Sequence, residues 1–362
     1  MKIVHVVESF GGGVYTYLRD LSHFLSDKPA IDVTIIYSNR RLEITEEQIV
    51  HDFPKNIRLI CVTMQRELNL IQDLKATFKL RRLFKQLNPD VIHLHSSKAG
   101  VLGRGAAFLR GKRNKIFYTP HGYSFLRQDI TKTRRKLYFV IEQFTQALLG
   151  GTTIACGDTE YELAKKIGTS KLVRNGVNID KLQASYIPKN STTTSLTIGT
   201  IGRIMPQKNP TLFNAIALLF PQHQFIWIGD GIDREILKAP NITITGWFNN
   251  NTSVLQHLNL LDVYLQTSLW EGLPIAVLEA MTFHKPIIAT NIIGNKDIVT
   301  NGYNGFLFST IQELEPLINQ LTDPTLLTEL GDNAYDTCLN TYNIKDNFKQ
   351  LLDIYLGSKD IL

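Results

Sequence analysis

Short runs of β-branched and apolar residues alternate with helix-periodic segments along almost the whole chain of 362 residues. Strands that alternate with helices form parallel sheets with helices on both faces. Because the chain is longer than a typical single domain, we predict an α/β fold of two doubly wound domains. The predicted strands are Ile3–Val7, Val33–Tyr37, Ile57–Val62, Val91–Leu94, Ile116–Tyr118, Thr152–Ala155, Leu196–Ile201, Phe225–Ile228, Ile242–Thr245, Val263–Leu265 and Pro286–Ala289.

A polar segment without periodicity, residues 181–195, predicts the linker between a first domain (1–180) and a second domain (196–342). The segment 343–362 predicts a terminal helix with one apolar stripe. This helix either packs on its own domain or returns to the first domain, and the return is the prediction made here. The segment 73–87 predicts an amphipathic helix with an apolar inner face. That inner face comprises Leu74, Phe78, Leu83, Phe84 and Leu87.

The composition excludes several classes of protein. Apolar residues make up 43% of the chain, as in globular proteins, and no segment is long and uncharged enough to predict a membrane span. The three cysteines are far apart, which disfavours a disulfide framework and a zinc site. We therefore expect a cytoplasmic protein.

Charge is divided unequally between the two halves of the chain. Residues 1–190 carry 30 Lys and Arg against 17 Asp and Glu, whereas residues 191–362 carry 9 against 16. The basic half predicts an anionic partner, either a membrane surface or a phosphorylated substrate, unless it is only a solvated surface. The residues counted with this basic surface are Arg81, Arg82, Lys85, Arg104, Arg110, Lys112, Arg113, Lys115, Arg127, Lys132, Arg134, Arg135 and Lys136. No nucleic-acid-binding motif accompanies the basic residues, so nucleic acid is not expected. The sequence leaves the oligomeric state open.

Glycines follow the first predicted strand, where ligands bind in open α/β sheets. Gly12 and Gly13 open a helix whose N-terminus favours an anion, although a plain turn explains them equally well. His121 follows another strand, between Pro120 and Gly122. A rigid loop of this kind suits a catalytic histidine, but an isolated histidine is more often structural.

Two cations follow the first strand of the second half. Asn209 and Pro210 are typical of the N-cap and first residue of a helix, so Arg203 and Lys208 fall in the preceding loop. A fork-shaped guanidinium and an ammonium group suit a diphosphate. The alternative is a solvated basic loop, which the acidic surroundings disfavour.

The strongest pattern lies between Thr267 and Met281. Pro274 suits the first position of a helix, so the amides of Ile275, Ala276 and Val277 would be unpaired and able to bind an anion. Two acids flank this anion site, Glu271 and Glu279. We expect them to accept hydrogen bonds from hydroxyl groups, whereas a helix cap and a surface acid would explain each one separately.

Together these motifs resemble family 4 of the retaining GT-B glycosyltransferases along nearly the whole chain. The resemblance rests on the glycines of residues 11–13, Pro120-His121-Gly122, Asn175-Gly176-Val177, Gly202-Arg203 with Lys208, Gly229-Asp230-Gly231, Glu271 with Glu279, and Asn304-Gly305. It implies two facing Rossmann-like domains, of which the first binds the acceptor and the second a nucleotide-sugar. Two positions depart from the family: His284 replaces a small glycine, and Val14-Tyr15 replaces an acidic residue.

The resemblance also implies roles for residues. Arg203 and Lys208 would hold the diphosphate, Glu279 the ribose and Glu271 the hydroxyls of the transferred sugar. The amides at 275–277 and at Gly12–Gly13 would flank phosphate and sugar, and His121 would contact the donor sugar near the reacting bond.

We therefore expect a metal-independent, retaining hexosyltransferase that needs no cofactor and takes its sugar from UDP rather than GDP. The expected acceptor is a glycan that is linked to a lipid at the inner membrane face during surface polysaccharide synthesis. Alternatives are a nucleotide-sugar epimerase, a glycosidase that uses Glu271 and Glu279, and a non-catalytic sugar-binding relative. A glycosidase leaves Arg203 and Lys208 without a role.

Overall fold

A computed structural model of the chain describes residues 1–39, 44–65, 68–110, 115–189, 195–248 and 251–357. The described chain divides into two compact units. Unit 1 comprises Met1–Leu126, Ile130–Arg174 and the described part of Lys345–Leu362, and unit 2 comprises Arg127–Asp129 and Asn175–Ile344. Part of the predicted linker, residues 190–194, and the end of the predicted terminal segment, residues 358–362, lie outside the described residues.

Unit 1 contains a parallel sheet in the order β3-β2-β1-β4-β5-β6-β7. The chain reverses its direction of winding between β1 and β4, which pair in register from Ile3–Val91 to Val7–His95. Its strands are β1 Lys2–Val7, β2 Asp32–Tyr37, β3 Arg58–Cys61, β4 Val91–His95, β5 Lys115–Thr119, β6 Thr152–Ala155 and β7 Ser170–Leu172. Its helices are α1 Gly12–Ser26, α2 Glu46–Asp52, α3 Leu70–Leu87, α4 Ser97–Phe108, α5 Lys132–Leu149 and α6 Asp158–Ile167.

Unit 2 contains a second parallel sheet in the order β10-β9-β8-β11-β12-β13. Its strands are β8 Thr197–Ile201, β9 Gln224–Ile228, β10 Ile242–Ile244, β11 Val263–Gln266, β12 Ile287–Thr290 and β13 Gly305–Phe308. Its helices are α7 Ile179–Gln183, α8 Pro210–Leu219, α9 Asn251–Leu260, α10 Ile275–Thr282, α11 Asn295–Ile298, α12 Leu314–Gln320 and α13 Pro324–Thr341. The predicted fold class, two Rossmann-like domains with parallel sheets, is confirmed.

The last helix, α14 Ile344–Leu356, packs on unit 1. The Phe348 ring lies 5.3 Å from the Tyr17 ring of α1, and the Tyr355 ring lies 5.2 Å from Phe117 of β5, measured between centroids. Lys115 Nζ donates to the carbonyl oxygen of Tyr355 at 2.9 Å. The apolar stripe of the terminal helix is therefore buried against the first sheet, as the prediction of a returning helix requires.

The two faces of the first sheet differ in chemistry, because successive side chains of a strand point to opposite faces. Val4, Val6, Ile92 and Leu94 join the apolar core that also contains residues of α3 and α4. The alternate residues of β1 and β4 include His5, His93 and His95, all of them buried. Ring contacts with Tyr17 of α1 and with Tyr355 of α14 place this polar layer under those two helices.

Two predictions about unit 1 side chains need correction. Of the predicted inner face of α3, Leu83, Phe84 and Leu87 pack on the apolar core, whereas Leu74 and Phe78 are 50% and 57% exposed; Ala76 and Leu80 are buried in their place. Arg104, counted with the basic surface, is buried; its guanidinium lies 4.4 Å from the Tyr118 ring centroid and donates to Gln146 Oε1 at 2.9 Å. A cation–π contact and a hydrogen bond stabilise this cation without solvent. Lys112 and Arg113, predicted beside it, lie outside the described residues.

The described part of the predicted linker is attached to unit 2. Asn259 of α9 accepts from the amide of Ile187 at 3.0 Å and donates to the carbonyl of Ser185 at 2.7 Å. Lys189 forms an ion pair with the buried Asp262 at 2.7 Å. Among the described residues, no helix is long and apolar enough to cross a bilayer.

Candidate active site

The motif loops of unit 2 leave its sheet at the point where the winding reverses. Strands β8 and β11 are neighbours there, and the loops that follow them begin at the carboxyl edge of the sheet. Ligands of doubly wound sheets bind in the crevice outside such a point. Arg203 and Lys208 follow β8, whereas Glu271 and Glu279 follow β11. Residues predicted separately from two distant segments therefore lie on adjacent loops.

Hydrogen bonds join these two loops directly. The Leu269 amide donates to the carbonyl of Gln207 at 2.8 Å, and the Thr267 hydroxyl donates to the carbonyl of Lys208 at 2.7 Å. Asn209 caps α8 by accepting from the Leu212 amide, and Pro210 opens that helix, as the sequence predicts. Lys208 directly precedes the Asn209 cap, so the capped N-terminus of α8 fixes the backbone position of Lys208.

The Glu271 carboxylate is the centre of a hydrogen-bonded cluster. Lys208 Nζ lies 2.8 Å from its Oε1, and the side chains of Ser268 and Gln266 donate to the same oxygen at 2.7 and 3.1 Å. Gln207 Nε2 donates to Oε2 at 3.3 Å. The Glu271 side chain is only 9% exposed and that of Lys208 18%, so water screens this ion pair weakly. The carboxylate is thus held in one orientation.

The start of α10 differs from the prediction by one residue. Pro274 is the N-cap, not the first helical residue, and the Val277 amide donates to the carbonyl of Pro274 at 3.2 Å. The prediction that Val277 offers an unpaired amide is therefore wrong. Within the described chain, the amides of Ile275 and Ala276 have no hydrogen-bond acceptor. These two amides form the positive end of the helix.

Arg203 and Glu279 lie at the same edge of the sheet. Arg203 is two residues beyond β8, and Glu279 is in the second turn of α10; both are partly exposed. Gly229 lets the neighbouring loop approach closely, since its φ is +135° and a Cβ there would lie 2.3 Å from the carbonyl oxygen of Gly202. Only glycine fits at that position.

In unit 1 the predicted residues lie beyond β1 and β5. Gly11 is the N-cap of α1, so Gly12 and Gly13 form the first turn of that helix. Gly12 has φ +54°, and no atom lies within 4 Å of where its Cβ would be. Open space therefore lies beside Gly12 in the first turn of α1, which is compatible with a site for an anion or a sugar.

His121 adopts a backbone conformation that costs energy. Its φ is +52°, in the left-handed region, which costs a residue with a Cβ roughly 1–2 kcal/mol. The buried carboxylate of Glu160 stabilises the loop: one oxygen accepts from the Gly122 amide and the other from the Cys156 amide, both at 2.8 Å. A strained loop held by a buried acid is typical of functional sites.

The His121 ring faces the buried histidines. Its Nε2 lies 3.0 Å from Nδ1 of His95, and its ring packs edge-on against Tyr17. Burial lowers the pKa of His121 from 6.5 to about 3. The imidazole is therefore neutral at physiological pH, and it acts as a hydrogen-bonding group instead of a cation.

Sequence reasoning missed Glu160 and the buried histidines His5, His93 and His95. For the histidines a signal existed: His93 and His95 lie two residues apart in a predicted buried strand, which places both on one face. Glu160 gives no such signal, because an acid in the first turn of a helix is ordinarily a solvated partner of the helix dipole.

The two departures from the family pattern have structural explanations. His284 has φ +52°, a conformation suited to glycine; its ring stacks between Tyr186 and Tyr335 and lies 2.7 Å from Asp332. Tyr15 is buried, and its hydroxyl donates to Asp52 at 2.9 Å. Both side chains are therefore engaged with residues of their own units.

Comparison with known proteins identifies the family. The family model described as Glycosyltransferase Family 4 matches residues 11–181, and the one described as Glycosyl transferases group 1 matches residues 195–323. A UDP-Gal:alpha-D-GlcNAc-diphosphoundecaprenol alpha-1,3-galactosyltransferase of Escherichia coli is 30% identical over 328 residues, covering 81% of this chain and 82% of that protein. The chain belongs to glycosyltransferase family 4.

Other glycosyltransferases and solved structures match over greater lengths. The capsular polysaccharide biosynthesis glycosyltransferase CapM of Staphylococcus aureus is 26% identical and covers 93% of both chains. Among solved structures, Anabaena HepE in complex with UDP and glucose aligns with a TM-score of 0.77 at 19% identity, covering 99% of this chain and 100% of that chain. That likeness, at low identity, shows the fold, and the family assignment makes the protein a glycosyltransferase.

Proposed function

We propose that this family 4 enzyme transfers a hexosyl group, with retention of configuration, from a UDP-sugar to a hydroxyl group of a lipid-diphosphate-linked sugar. The observation that carries the proposal is the cluster of Lys208, Glu271 and the α10 N-terminus at the reversal point of the second sheet. It combines a cation, two amides without acceptors and a fixed carboxylate. A sugar diphosphate needs those three kinds of partner. The E. coli relative, which by its name uses UDP-galactose, supports UDP-galactose as the first donor to test.

The proposed reaction breaks the bond between the anomeric carbon and the diphosphate oxygen and forms a bond to the acceptor oxygen on the same face. The acceptor proton passes to the leaving phosphate, so no protein nucleophile is required. Negative charge grows on the diphosphate as the bond breaks. Arg203, Lys208 and the amides of Ile275 and Ala276 bind that growing charge more strongly than the ground state, which is catalysis by differential binding.

The remaining site residues bind the ends of the donor. Glu271, already held by Ser268 and Gln266, would accept hydrogen bonds from the sugar hydroxyls when Lys208 turns to the diphosphate. Glu279 would accept them from the ribose. In unit 1, Gly12, Gly13 and His121 would contact the transferred sugar, as the family resemblance implies.

We propose that the reaction needs no metal ion or other cofactor. Within the described part of unit 2, no three His, Cys, Asp or Glu side chains converge as metal ligands. Arg203 and Lys208 supply the positive charge that a divalent cation would supply to a diphosphate. Full activity in excess EDTA, compared with added Mg²⁺ or Mn²⁺, is the expected result.

The experiment that tests the function is release of nucleotide from a panel of UDP- and GDP-sugars, with and without a GlcNAc-diphospho-lipid acceptor. We expect acceptor-dependent release of UDP and an α-linked product by NMR. Conversion of the nucleotide-sugar to its epimer without an acceptor would support an epimerase, hydrolysis of a preformed glycoside would support a glycosidase, and binding without turnover would support a non-catalytic protein. Each of these outcomes contradicts the proposal.

The two acids of the site are expected to differ towards free UDP. Because Glu279 is assigned to the ribose, Glu279→Gln should weaken UDP binding about tenfold, the loss of one charge-assisted hydrogen bond. Glu271 is assigned to the sugar, which UDP lacks, so Glu271→Gln should leave UDP binding within about twofold. Isothermal titration calorimetry measures both. Equal losses in the two variants would mean that the roles are wrongly assigned.

We also propose that unit 1 docks on anionic membrane through its outer helices. Helix α5 exposes an apolar stripe at helical spacing, comprising Leu137, Val140, Phe144 and Leu148, each between 47% and 63% exposed. Helix α4 packs against both α3 and α5, so the exposed Leu74 and Phe78 of α3 lie on the same side of the sheet. Such exposed apolar area is a feature of interaction surfaces.

Positive charge accompanies this stripe. Lys132, Arg134 and Lys136 are exposed in the first turns of α5, and Arg82 and Lys85 are exposed on α3. Arg135 is engaged inside the unit, since its Nε donates to the carbonyl of Phe125. Apolar side chains bordered by Lys and Arg fit the acyl boundary and headgroups of an anionic bilayer. A lipid-linked acceptor would be met at the same surface.

We expect charge reversal at Lys132, Arg134 and Lys136 to weaken binding to phosphatidylglycerol vesicles by at least ~100-fold, at about 1 kcal/mol for each basic residue near the surface. Phe144→Ser with Leu148→Ser should also weaken it, and salt should weaken the binding of the intact protein. The matched control is Leu218→Ser with Leu219→Ser, two residues of α8 in unit 2 that are each 57% exposed. Binding that is equal in all variants, or absent at low salt, would refute membrane docking.

A further inference from the structure

Two buried histidines of unit 1 form a chain of hydrogen bonds that ends at His121, one of the predicted site residues. His5 Nδ1 lies 3.0 Å from His95 Nε2, and His95 Nδ1 lies 3.0 Å from His121 Nε2. The planes of the bonded rings are tilted by only 30° and 20°, with centroids 5.2 and 5.3 Å apart, as edge-to-edge bonds between imidazoles require. His5 and His95 are fully buried, so water does not compete for these bonds.

The three histidines joined by these hydrogen bonds, His5, His95 and His121, are neutral at physiological pH. Burial lowers the pKa of His5 from 6.5 to about 3 and that of His95 well below its ordinary value, and the neighbouring histidines lower the pKa of His95 further. A neutral imidazole has one nitrogen that donates and one that accepts. The position of the proton on any ring of the chain therefore fixes its position on the other two.

The inner end of the chain sets the direction. His5 Nε2 is buried and has no hydrogen-bond partner among the described residues. A buried N–H without an acceptor is rarer in proteins than an acceptor without a donor. The His5 proton therefore belongs on Nδ1, from which it is donated to His95 Nε2. His95 then carries its proton on Nδ1 and donates it to His121 Nε2.

We infer that His95 and His5 are positioning residues that hold His121 in the tautomer with its proton on Nδ1. His121 Nδ1 has no partner among the described residues, and the side chain is partly exposed, so this N–H is the group offered to a ligand. The inference deepens the proposed function and rests on it for the identity of the ligand, an oxygen of the sugar-diphosphate donor. His121 is then a hydrogen-bond donor and not a general base.

A metal ion is the competing explanation for the cluster. His5, His93 and His95 each offer a nitrogen within 4.8 Å of the others. However, both nitrogens of His93 are already used, by the Tyr355 hydroxyl and by Thr119 Oγ1, and both nitrogens of His95 are used in the chain. A metal would have to replace bonds that are already made, so the geometry favours the proton chain.

The first experiment is a two-bond ¹H–¹⁵N correlation spectrum of the full chain labelled with ¹⁵N-histidine, near pH 7.5. We expect the pattern of a protonated Nδ1 and a bare Nε2 for His5, His95 and His121. A protonated Nε2 on His121 would overturn the inference. So would a joint shift of His5, His93 and His95 signals between EDTA and one equivalent of Zn²⁺, since that would reveal a metal site. This measurement needs no substrate, so it remains decisive if the proposed function fails.

The second experiment separates positioning from folding. His95→Asn keeps an N–H near the place of Nδ1, whereas His95→Phe removes it. We expect His95→Phe to lower kcat at least tenfold with the donor KM within threefold, and His95→Asn to retain kcat within threefold. The control is His93→Phe, another fully buried histidine of β4 that makes no hydrogen bond to His121. Equal losses of kcat in His93→Phe and His95→Phe, or no rescue by asparagine, would overturn the inference.

Discussion

Replacement of Lys208 by alanine is expected to lower kcat/KM for glycosyl transfer by at least ~100-fold, which corresponds to about 2.7 kcal/mol of transition-state stabilisation. Two effects contribute. The diphosphate loses a cation whose attraction grows as the bond breaks, and Glu271 loses an ion-pair partner 2.8 Å away in a site that is mostly closed to water. Arg203→Ala should also cause a loss of the same order, because the diphosphate again loses a cation.

Steady-state kinetics on the donor and acceptor identified by the nucleotide panel measure this loss. The matched control is Lys189→Ala, which breaks another ion pair of unit 2, that with Asp262 at 2.7 Å, away from the candidate site. The control should leave kcat/KM within about threefold. Near-normal values for both Lys208→Ala and Arg203→Ala would refute the diphosphate assignment.

Unit 1 is expected to unfold in mild acid. The pKa of His5 is lowered to about 3, and those of His93 and His95 are also lowered, all by burial. Between pH 6.5 and the pKa of about 3 for His5, the unfolded chain binds more protons than the folded chain, so the free energy of unfolding falls as the pH falls through this window. At pH 5 the lowered pKa of His5 alone costs roughly 2 kcal/mol of unfolding free energy, and burial of His93 and His95 acts in the same direction.

The distribution of tryptophan makes this prediction measurable. All three tryptophans, Trp227, Trp247 and Trp270, belong to unit 2. Urea unfolding should therefore show a far-ultraviolet circular dichroism transition that moves to lower urea between pH 7 and pH 5, whereas the tryptophan transition moves less. His5→Phe should reduce the number of protons taken up on unfolding by about one, so the free energy of unfolding should depend less steeply on pH. A free energy of unfolding that is the same at both pH values would contradict the prediction.

The sequence predicts the sheets well because their central strands are buried on both faces. All eleven predicted strands are present, and each predicted end lies within one residue of the observed end. The two missed strands, Ser170–Leu172 and Gly305–Phe308, lie at the edges of their sheets. Edge strands pair on one side only and are short, so they need no long apolar run and leave a weak pattern.

Side-chain direction was harder to predict than secondary structure. An apolar stripe on a helix predicts a buried face, but it does not identify the surface that buries it. In α3, Leu74 and Phe78 point away from the sheet, whereas Ala76 and Leu80 pack inward. Small residues leave no strong periodic signal, although they allow close packing.

For the candidate site, sequence spacing identifies loops but not contacts. The motifs predict that Lys208 and Glu271 lie at one edge of a sheet, but their 2.8 Å ion pair depends on how two loops 63 residues apart pack together. The prediction for the Val277 amide is wrong because the helix begins one residue later than predicted, and such a shift changes which amides are paired. Whether these residues bind the donor stays a prediction that the variants above test.

The return of α14 to unit 1 affects the order in which the two units can complete folding during synthesis. Unit 1 begins at the first residue, yet Phe348 and Tyr355 of α14 cover the histidine face of its sheet. At 5–20 residues per second, a ribosome needs roughly 10–40 s to travel from the end of β7 to α14. During that interval the face of the sheet with His5, His93 and His95 is not yet covered by Tyr355. The residues of unit 2, which end at Ile344, are synthesised before α14 is complete. The half of the protein that is made first is therefore the half that finishes folding last.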